Sequence, residues 1–161
     1  MVTDKQLGAN RVLEMKKQLI KCGLLCWKPG NKAIWIPDKK HPGRYIPISA
    51  SQDIFEVADI SCMDNGLPFL LVQCTGYETG TNYSLMSERR KKFDNIAHHI
   101  PFGFVQPIVA GRIPGKKRWR LDFMIAFEKW DTIEKDLIDI DRHAIKAQYE
   151  ACRIIAFREH L

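Results

Sequence analysis

Apolar and polar positions along the chain alternate between helical and extended patterns. Across residues 6–22 the apolar positions recur at helical spacing, and Gly23 follows as a natural stop, so we predict a first helix there. Residues 27–43 contain several prolines and glycines between short apolar pieces, which indicates turns. The piece at residues 33–36 fits either a strand or a mobile flap.

A hairpin is predicted in the middle of the chain. Residues 53–63 and 69–75 are mostly apolar, and Asp64-Asn65-Gly66 between them is a strong turn signal. The second segment is apolar almost throughout, which is typical of a strand buried on both faces. Asp59 and Gln73 are polar residues inside the two segments, so we expect them to lie side by side.

The rest of the chain predicts one further helix, two strands and a helical tail. A polar loop at residues 76–83 precedes a basic helix that begins at Ser84 or Ser87 and ends before Pro101. Strands are expected at residues 104–110 and 119–127, and Asp131 is expected to cap a tail whose clearest helical part is residues 143–158. We therefore predict one α/β domain over residues 1–161, with a core at about 7–127 and a C-terminal helical segment at about 131–160. Its centre should be a mixed β-sheet flanked by helices.

Composition narrows the class of protein. With 161 residues, of which 45% are hydrophobic and 27% charged, the chain suits one globular domain. No apolar run approaches the roughly 20 residues that span a bilayer, and the N-terminus lacks a secretory signal, so we expect a cytoplasmic protein without a membrane partner. Five cysteines without a CxxC pair suit a reducing compartment. Zinc held by Cys22 and Cys26 is the weaker alternative, because no second ligand pair follows.

Positive charge is concentrated in one stretch of the sequence. The formal net charge is +6, whereas residues 85–120 alone hold nine basic and two acidic residues. A basic region beside an acidic remainder suits a surface that binds phosphate, although a solvated surface has the same composition. The candidate nucleic-acid-binding residues are Arg89, Arg90, Lys92, Lys117, Arg118 and Arg120.

The polar pair in the predicted hairpin has the composition of a site for a hard cation. Mg²⁺ takes oxygen ligands, usually one or two carboxylates with water and substrate phosphate. Burying Asp59 or Gln73 without a partner costs free energy, so either a metal or local hydrogen bonds must satisfy them. The residues alone leave both possibilities open.

Four short motifs resemble small phage and bacterial members of the PD-(D/E)XK nuclease superfamily. They are Asp53-Ile-Phe-Glu-Val-Ala-Asp59, Gln73-Cys-Thr75, Arg89-Arg-Lys-Lys92 and Lys117-Arg-Trp-Arg120. The resemblance covers roughly residues 7–125 in the family's order, and it implies a restriction-endonuclease-like core. Glu14, in the predicted first helix, matches the acid that often completes the family's site.

The resemblance implies a site for Mg²⁺ or Mn²⁺. Asp59 would be the main metal ligand, with the side-chain oxygen of Gln73 and the carbonyl of Cys74 beside it. Glu14 would reach the metal directly or through water.

The family's active-site lysine is replaced here by Thr75, which carries no charge. Lys91 or Arg90, arriving from the basic helix, would then supply the missing charge in space. The other interpretation of that helix is a solvated face that binds phosphate or nothing.

The function that the resemblance implies is metal-dependent endonuclease cleavage of DNA. A small member without a recognition module resembles junction resolvases, which implies branched DNA, a homodimer, and the cytoplasm of a bacterial or phage-infected cell. The alternative is a catalytically inactive nuclease scaffold that binds nucleic acid, which the missing lysine favours. A subunit that docks through its acidic C-terminal helix has little specific support. The apolar face of that helix, with Ile154, Ile155 and Phe157, suits either a dimer contact or a cover for the sheet.

Overall fold

The computed structural model describes residues 4–50, 52–76, 82–114 and 117–159. This part of the chain contains the helices α1 (Asp4–Lys21), α2 (Asn82–Asp94) and α3 (Arg142–Glu159). Its strands are β1 (Leu25–Trp27), β2 (Lys32–Pro37), β3 (Tyr45–Ala50), β4 (Ile60–Met63), β5 (Phe69–Gly76), β6 (Val105–Ile113), β7 (Arg118–Ala126) and β8 (Lys129–Asp136). Six strands form one sheet in the order β1-β4-β5-β6-β7-β8, and β2 and β3 form a second sheet of two strands.

The six-stranded sheet is mixed, as predicted. β4 pairs antiparallel with β1 and with β5, whereas β5 pairs parallel with β6 through a crossover that contains α2. β6, β7 and β8 then continue antiparallel. The predicted α/β class, with a mixed sheet flanked by helices, is therefore confirmed, and the restriction-endonuclease-like core stays a prediction.

Two hydrophobic cores lie on opposite faces of this sheet. On one face Met15 and Leu19 of α1 pack with Val72 of β5 and with residues of α3. On the other face Met86 and Phe93 of α2 pack with neighbouring residues of β5 and β6. Successive residues of a strand point to opposite faces, so Gln73 and Thr75 belong to the α2 face.

Gly111 of β6 leaves room for a side chain of α2. A Cβ atom at this position would stand 2.5 Å from the sulfur of Met86, so a larger residue would require the Met86 side chain to shift. The absent side chain therefore accommodates Met86 over the centre of the sheet.

Two predicted boundaries are wrong. Residues 53–59 form a tight turn and not the first half of a strand, and β4 begins at Ile60. The C-terminal segment opens with strand β8, so Asp131 lies in a strand and does not cap a helix. β8 has alternating exposed and half-buried residues from Asp131 to Asp136, a period-two pattern that a two-sided edge strand produces.

The helices at the two ends of the chain are confirmed. Gly23 ends the first of them with φ +94°, a conformation that glycine adopts readily. α3 covers the sheet through Ile145 and Cys152, whereas Ile154 and Phe157 are exposed. None of the helices in the described ranges is long and apolar enough to cross a membrane.

The cysteines do not gather around a common centre. Cys22 contacts the Ile140 carbonyl oxygen through its sulfur at 3.3 Å, whereas the sulfur atoms of Cys26 and Cys62 lie 3.1 Å apart across β1 and β4. No group of three or more His, Cys, Asp or Glu side chains that could hold a metal occurs in the described chain. The structure thus gives no support to the zinc alternative.

Cys26 has a different acidity from the other thiols. Its hydrogen bond with Cys62 lowers the pKa of Cys26, and the same bond raises the pKa of Cys62. Burial raises the pKa of Cys22, of Cys74 and, to about 11, of Cys152. Cys26 is also half-buried, on the edge strand of the sheet.

We predict that Cys26 is the first thiol of the folded protein to react with iodoacetamide. The thiolate is the reactive form, so a lowered pKa together with partial exposure favours Cys26 near neutral pH. Peptide mass spectrometry after timed labelling at pH 7.5 measures the order of reaction. We expect one early site that Cys26→Ser removes and that Cys62→Ala, which deletes the hydrogen-bond partner, slows. Earlier labelling at Cys22 would contradict this assignment.

Candidate metal centre at the start of strand β4

A strained turn brings two carboxylates together ahead of β4. Ile54 and Ala58 form an antiparallel bridge, and Phe55 and Glu56 between them have φ values of 53° and 63°. This left-handed conformation costs a side-chain-bearing residue about 1–2 kcal/mol. One residue beyond the bridge, Asp53 meets Asp59, and the two carboxyl groups interact.

Asp59 is held against β5 by two hydrogen bonds. Its N–H donates to the carbonyl of Val72 at 2.9 Å, and its Oδ2 accepts from the N–H of Cys74 at 2.8 Å. Because Ile60 pairs with Val72, Asp59 stands opposite Gln73. Asp59 and Gln73 are therefore neighbours on adjacent strands, as predicted.

The acidity of Asp59 reflects this position. Burial is the main cause that raises the pKa of Asp59 to about 6, and the neighbouring Asp53 adds to the rise. The Cys74 N–H and the Arg89 guanidinium act in the opposite direction. Asp59 is therefore a carboxylate that is ionised near neutral pH at a cost in free energy.

Gln73 is buried on the α2 face with one atom unsatisfied. Its Nε2 donates to the carbonyl of Cys74 at 3.4 Å, whereas its Oε1 has no hydrogen-bond partner in the described part of the chain. A buried amide oxygen without a donor costs about 1–3 kcal/mol. The Cys74 carbonyl, predicted to be a metal ligand, accepts the amide of Gln73 in this structure.

The donor chemistry of this centre fits a hard divalent cation. The carboxylates of Asp59 and Asp53 and the free Oε1 of Gln73 are all oxygen donors. Mg²⁺ and Mn²⁺ prefer oxygen donors and commonly keep water and phosphate in the remaining positions. Asp53 was not among the predicted ligands, because its meeting with Asp59 depends on a turn that the sequence pattern did not indicate.

Glu14 forms an ion pair in this structure. It lies on α1, which packs on the face opposite to Gln73, and its Oε2 is 3.3 Å from Nε of Arg112. Arg112 pairs with Gly76 across β6 and β5, so the ion pair lies at the same end of the sheet as Asp59. In the structure Glu14 is the ion-pair partner of Arg112, and its part as a metal ligand stays a prediction.

α2 directs two arginines toward the sheet and leaves Lys91 exposed. The positive charge of Arg89 lowers the pKa of Asp59, so this guanidinium lies near the candidate centre. Lys91, predicted to replace the missing lysine, is exposed, and its part in catalysis stays a prediction. Thr75 is buried on the same face as Gln73 and pairs with Gly111.

A fully buried carboxylate, Asp122 of β7, holds the second arginine of α2. Asp122 Oδ2 lies 2.9 Å from Nη1 of Arg90, and its Oδ1 lies 2.9 Å from Nε of Arg120. The hydroxyl of Thr132 donates a third hydrogen bond of 2.7 Å. Arg90 and Arg120, predicted to bind nucleic acid, are thus engaged inside the fold. The sequence does contain a signal for Asp122: it is an acid within an apolar segment, as Asp59 is.

The remaining predicted phosphate-binding residues lie on α2, on β7 and just before β7. Arg118 lies within 3.5 Å of Glu134 and 3.8 Å of Asp136 on β8. Lys92 is half-buried on α2, and Lys117 is exposed next to residues 115–116, which lie outside the described chain. Arg118 and Arg120 flank the buried Trp119, so both belong to the α2 face of the sheet, and the basic face suggested by residues 85–120 stays a prediction.

Comparison with known proteins adds no assignment. No protein-family model, no curated protein and no solved structure matches this chain. Membership of the PD-(D/E)XK superfamily consequently stays a prediction from the motifs.

We predict that Asp59→Asn stabilises the metal-free protein at neutral pH. The folded-state pKa of about 6 exceeds that of an unfolded Asp, about 3.9, so stability contributed by protonated Asp59 is lost as pH rises through 6. The amide keeps an oxygen for the Cys74 N–H and carries no charge. We expect the free energy of unfolding to rise by about 2–3 kcal/mol at pH 7.5 and by about 1 kcal/mol at pH 4.5.

Urea unfolding in the presence of a chelator measures this effect at both pH values. Asp139→Asn, at an exposed acid, is the matched control and should change little. Equal destabilisation by Asp59→Asn at both pH values would show that the carboxylate is not strained by burial.

Asp122→Ala should destabilise the fold strongly. The side chains of Arg90 and Arg120 are only 25% and 12% exposed, and removing the carboxylate takes away the partner that they share. Breaking a buried ion pair in this way costs about 3–5 kcal/mol. Thermal unfolding compared with Asp136→Ala, which removes an exposed partner of Arg118 and should cost under about 1 kcal/mol, measures the difference. A similar loss in both variants would contradict a structural role for Asp122.

Proposed function

We propose that the chain is a Mg²⁺- or Mn²⁺-dependent endonuclease that hydrolyses phosphodiester bonds of DNA. The observation that carries the proposal is the position of Asp59, fixed by the Cys74 N–H, opposite Gln73, whose buried Oε1 has no hydrogen-bond partner among the described residues. Oxygen donors on two neighbouring strands suit a hard cation. The strained turn at Phe55 and Glu56 supports the same proposal, because strain of this kind concentrates at functional sites.

Each residue of the centre has a distinct part in the proposed reaction. Asp59, Gln73 and Asp53 would hold the cation. The bound cation would polarise the scissile phosphate and lower the pKa of a water molecule. Arg89, near Asp59, would balance the negative charge that develops on the phosphate, which is the task of the lysine that Thr75 replaces.

The acidity of Asp59 affects how tightly the centre would hold a cation. Without a cation the pKa of Asp59 is about 6, so the carboxylate is mostly ionised at pH 7.5 and mostly protonated below pH 5. Proton and cation would compete for this carboxylate, so the apparent affinity for Mg²⁺ should fall as the pH drops through 6.

The second candidate function is a catalytically inactive nuclease scaffold that binds nucleic acid. Thr75 favours it, because a neutral side chain stands where the family has a lysine. The two candidates share the scaffold and differ in whether a bound metal leads to cleavage.

The resemblance to junction resolvases supports three further proposals: branched DNA as the substrate, a homodimer and a cytoplasmic location. Ile154 and Phe157, both more than half exposed on α3, offer apolar surface for a dimer contact.

We predict that the purified protein cuts DNA only with a divalent cation. Supercoiled plasmid and a synthetic four-way junction are incubated with Mg²⁺, Mn²⁺ or EDTA at pH 7.5, and products are resolved on gels. Asp59→Ala should abolish cleavage, and Gln73→Ala should weaken the apparent affinity for Mg²⁺. Arg89→Ala should lower the rate by about 10²- to 10³-fold, the usual effect of losing a charge-stabilising donor.

Two comparisons make the result specific. Arg89→Ala against Lys91→Ala decides which basic residue of α2 assists the reaction, and the structure favours Arg89. Lys146→Ala, at an exposed lysine of α3, is the control for a general loss of charge. DNA left intact under every metal condition, by a protein that still binds it, would favour the inactive scaffold.

A further inference from the structure

β2 and β3 form a ribbon, residues 32–50, that pairs with no other strand of the described chain. The two strands run antiparallel from the Lys32–Ala50 pair to the Pro37–Tyr45 pair. Among the described residues, neither hydrophobic core includes a member of this ribbon. A two-stranded hairpin is marginally stable on its own in water, and therefore gains from a partner that covers it.

One face of the ribbon is aromatic and exposed. Trp35 pairs with Pro47 and Tyr45 pairs with Pro37, so all four side chains share a face. Trp35 is 66% exposed and Tyr45 is 62% exposed. The two aromatic residues are diagonal neighbours, a relation in which long side chains lie within reach of each other. Exposed rings of this kind are stacking platforms for nucleic-acid bases.

The tip of the ribbon is basic. Lys39, Lys40 and Arg44 are all exposed there, and Asp38 accepts a hydrogen bond of 2.9 Å from the N–H of Lys40. Residues 28–50 hold five basic residues and one acid, whereas residues 51–84 hold five acids and no Lys or Arg. The ribbon is thus the basic part of the chain that directly precedes the acidic segment containing Asp59.

The ribbon leaves the sheet next to the candidate metal centre. Trp27, the last residue of β1, pairs with Ser61 near the start of β4, which is the end of the sheet where Asp59 lies. At the base of the ribbon, Nε2 of Gln52 donates to the carbonyl of Gly30 at 2.8 Å. Asp53, whose carboxyl interacts with Asp59, is the next residue after Gln52.

We propose that the ribbon is a DNA-binding arm that stacks Trp35 and Tyr45 on unpaired bases while Lys39, Lys40 and Arg44 contact the phosphates. The choice of DNA rests on the proposed function, since the arm begins beside the proposed centre for phosphodiester cleavage. Paired bases hide their faces inside a duplex, so the arm favours single-stranded segments and the openings of branched DNA. Binding through the arm requires no bound metal.

The test measures the affinity of fluorescein-labelled 20-nucleotide DNA by anisotropy in EDTA, so that cleavage cannot interfere. Trp35→Ala should weaken binding of the single strand by about tenfold, in line with the loss of one stacking contact. Trp35→Phe, which keeps an aromatic ring, should restore most of the affinity. Phe127→Ala removes an aromatic side chain of similar exposure, 61%, from the turn between β7 and β8 and should leave binding unchanged.

A second measurement addresses the tip. The triple variant Lys39→Ala, Lys40→Ala, Arg44→Ala should lower the slope of log affinity against log salt by about 2, because each phosphate contact on a single strand contributes about 0.7. Thermal unfolding should be the same for all ribbon variants, since these side chains lie outside both cores.

Each outcome decides the proposal. Weaker binding by Trp35→Ala, a smaller salt slope for the triple variant and preference for single strand over duplex support the arm. Failure of the wild type to bind, wild-type affinity of both ribbon variants, or tighter binding of RNA of the same sequence overturns it. Ribbon-dependent binding by a protein that never cuts DNA would leave the arm in place and remove the nuclease proposal. Metal-dependent cutting by a protein whose ribbon variants bind DNA like the wild type would keep the nuclease proposal and remove the arm.

Discussion

Burial of β5 on both faces is the constraint on which the rest of this structure depends. A strand without access to water must satisfy its polar groups from neighbouring residues. The N–H of Cys74 meets this requirement through Asp59, and that hydrogen bond fixes the carboxylate at the end of the sheet. The side-chain oxygen of Gln73 does not find a donor in the described chain. The same burial that makes the strand a stable centre for the sheet therefore creates an oxygen-rich site at its end.

The position of α2 follows from two features of the strands beneath it. Gly111 leaves room for the Met86 side chain of the helix, and the buried carboxylate of Asp122 binds Arg90 of the helix and Arg120 of its own strand. With the helix held in this way, Arg89 is directed toward Asp59. The charge near the candidate centre is thus set by packing and by an ion pair that has no direct part in the proposed chemistry.

The sequence predicted those parts of the fold that have a strong local pattern. The apolar run of β5, the turn after β4 and the helical periodicity of α1 all indicated their elements, and Asp59 and Gln73 lie opposite each other as expected. The sequence did not predict features that depend on contacts distant in the chain or on unusual backbone angles. The left-handed turn at Phe55 and Glu56 is of the second kind, because ordinary residues rarely adopt it.

Long-range contacts explain the other differences. The burial of Asp122 joins residues of α2, β7 and β8, and charge counts cannot distinguish a guanidinium in solvent from one inside such a cluster. For the same reason the composition of residues 85–120 does not show which of its charges have partners inside the fold. For the ribbon of β2 and β3, the sequence does not distinguish a strand from a flap, because its short apolar pieces lie among turn residues.

The hydrogen bond between Gln52 and Gly30 has a consequence for how this domain could vary. It joins the two ends of the segment that contains the ribbon, so the segment leaves and re-enters the rest of the fold at nearly the same point. Segments whose ends already lie together tolerate insertion, deletion and exchange with little cost to the domain that carries them. A hairpin of different length or composition could therefore replace this one while the sheet and the acid pair keep their positions. The ribbon can therefore vary independently of the six-stranded sheet.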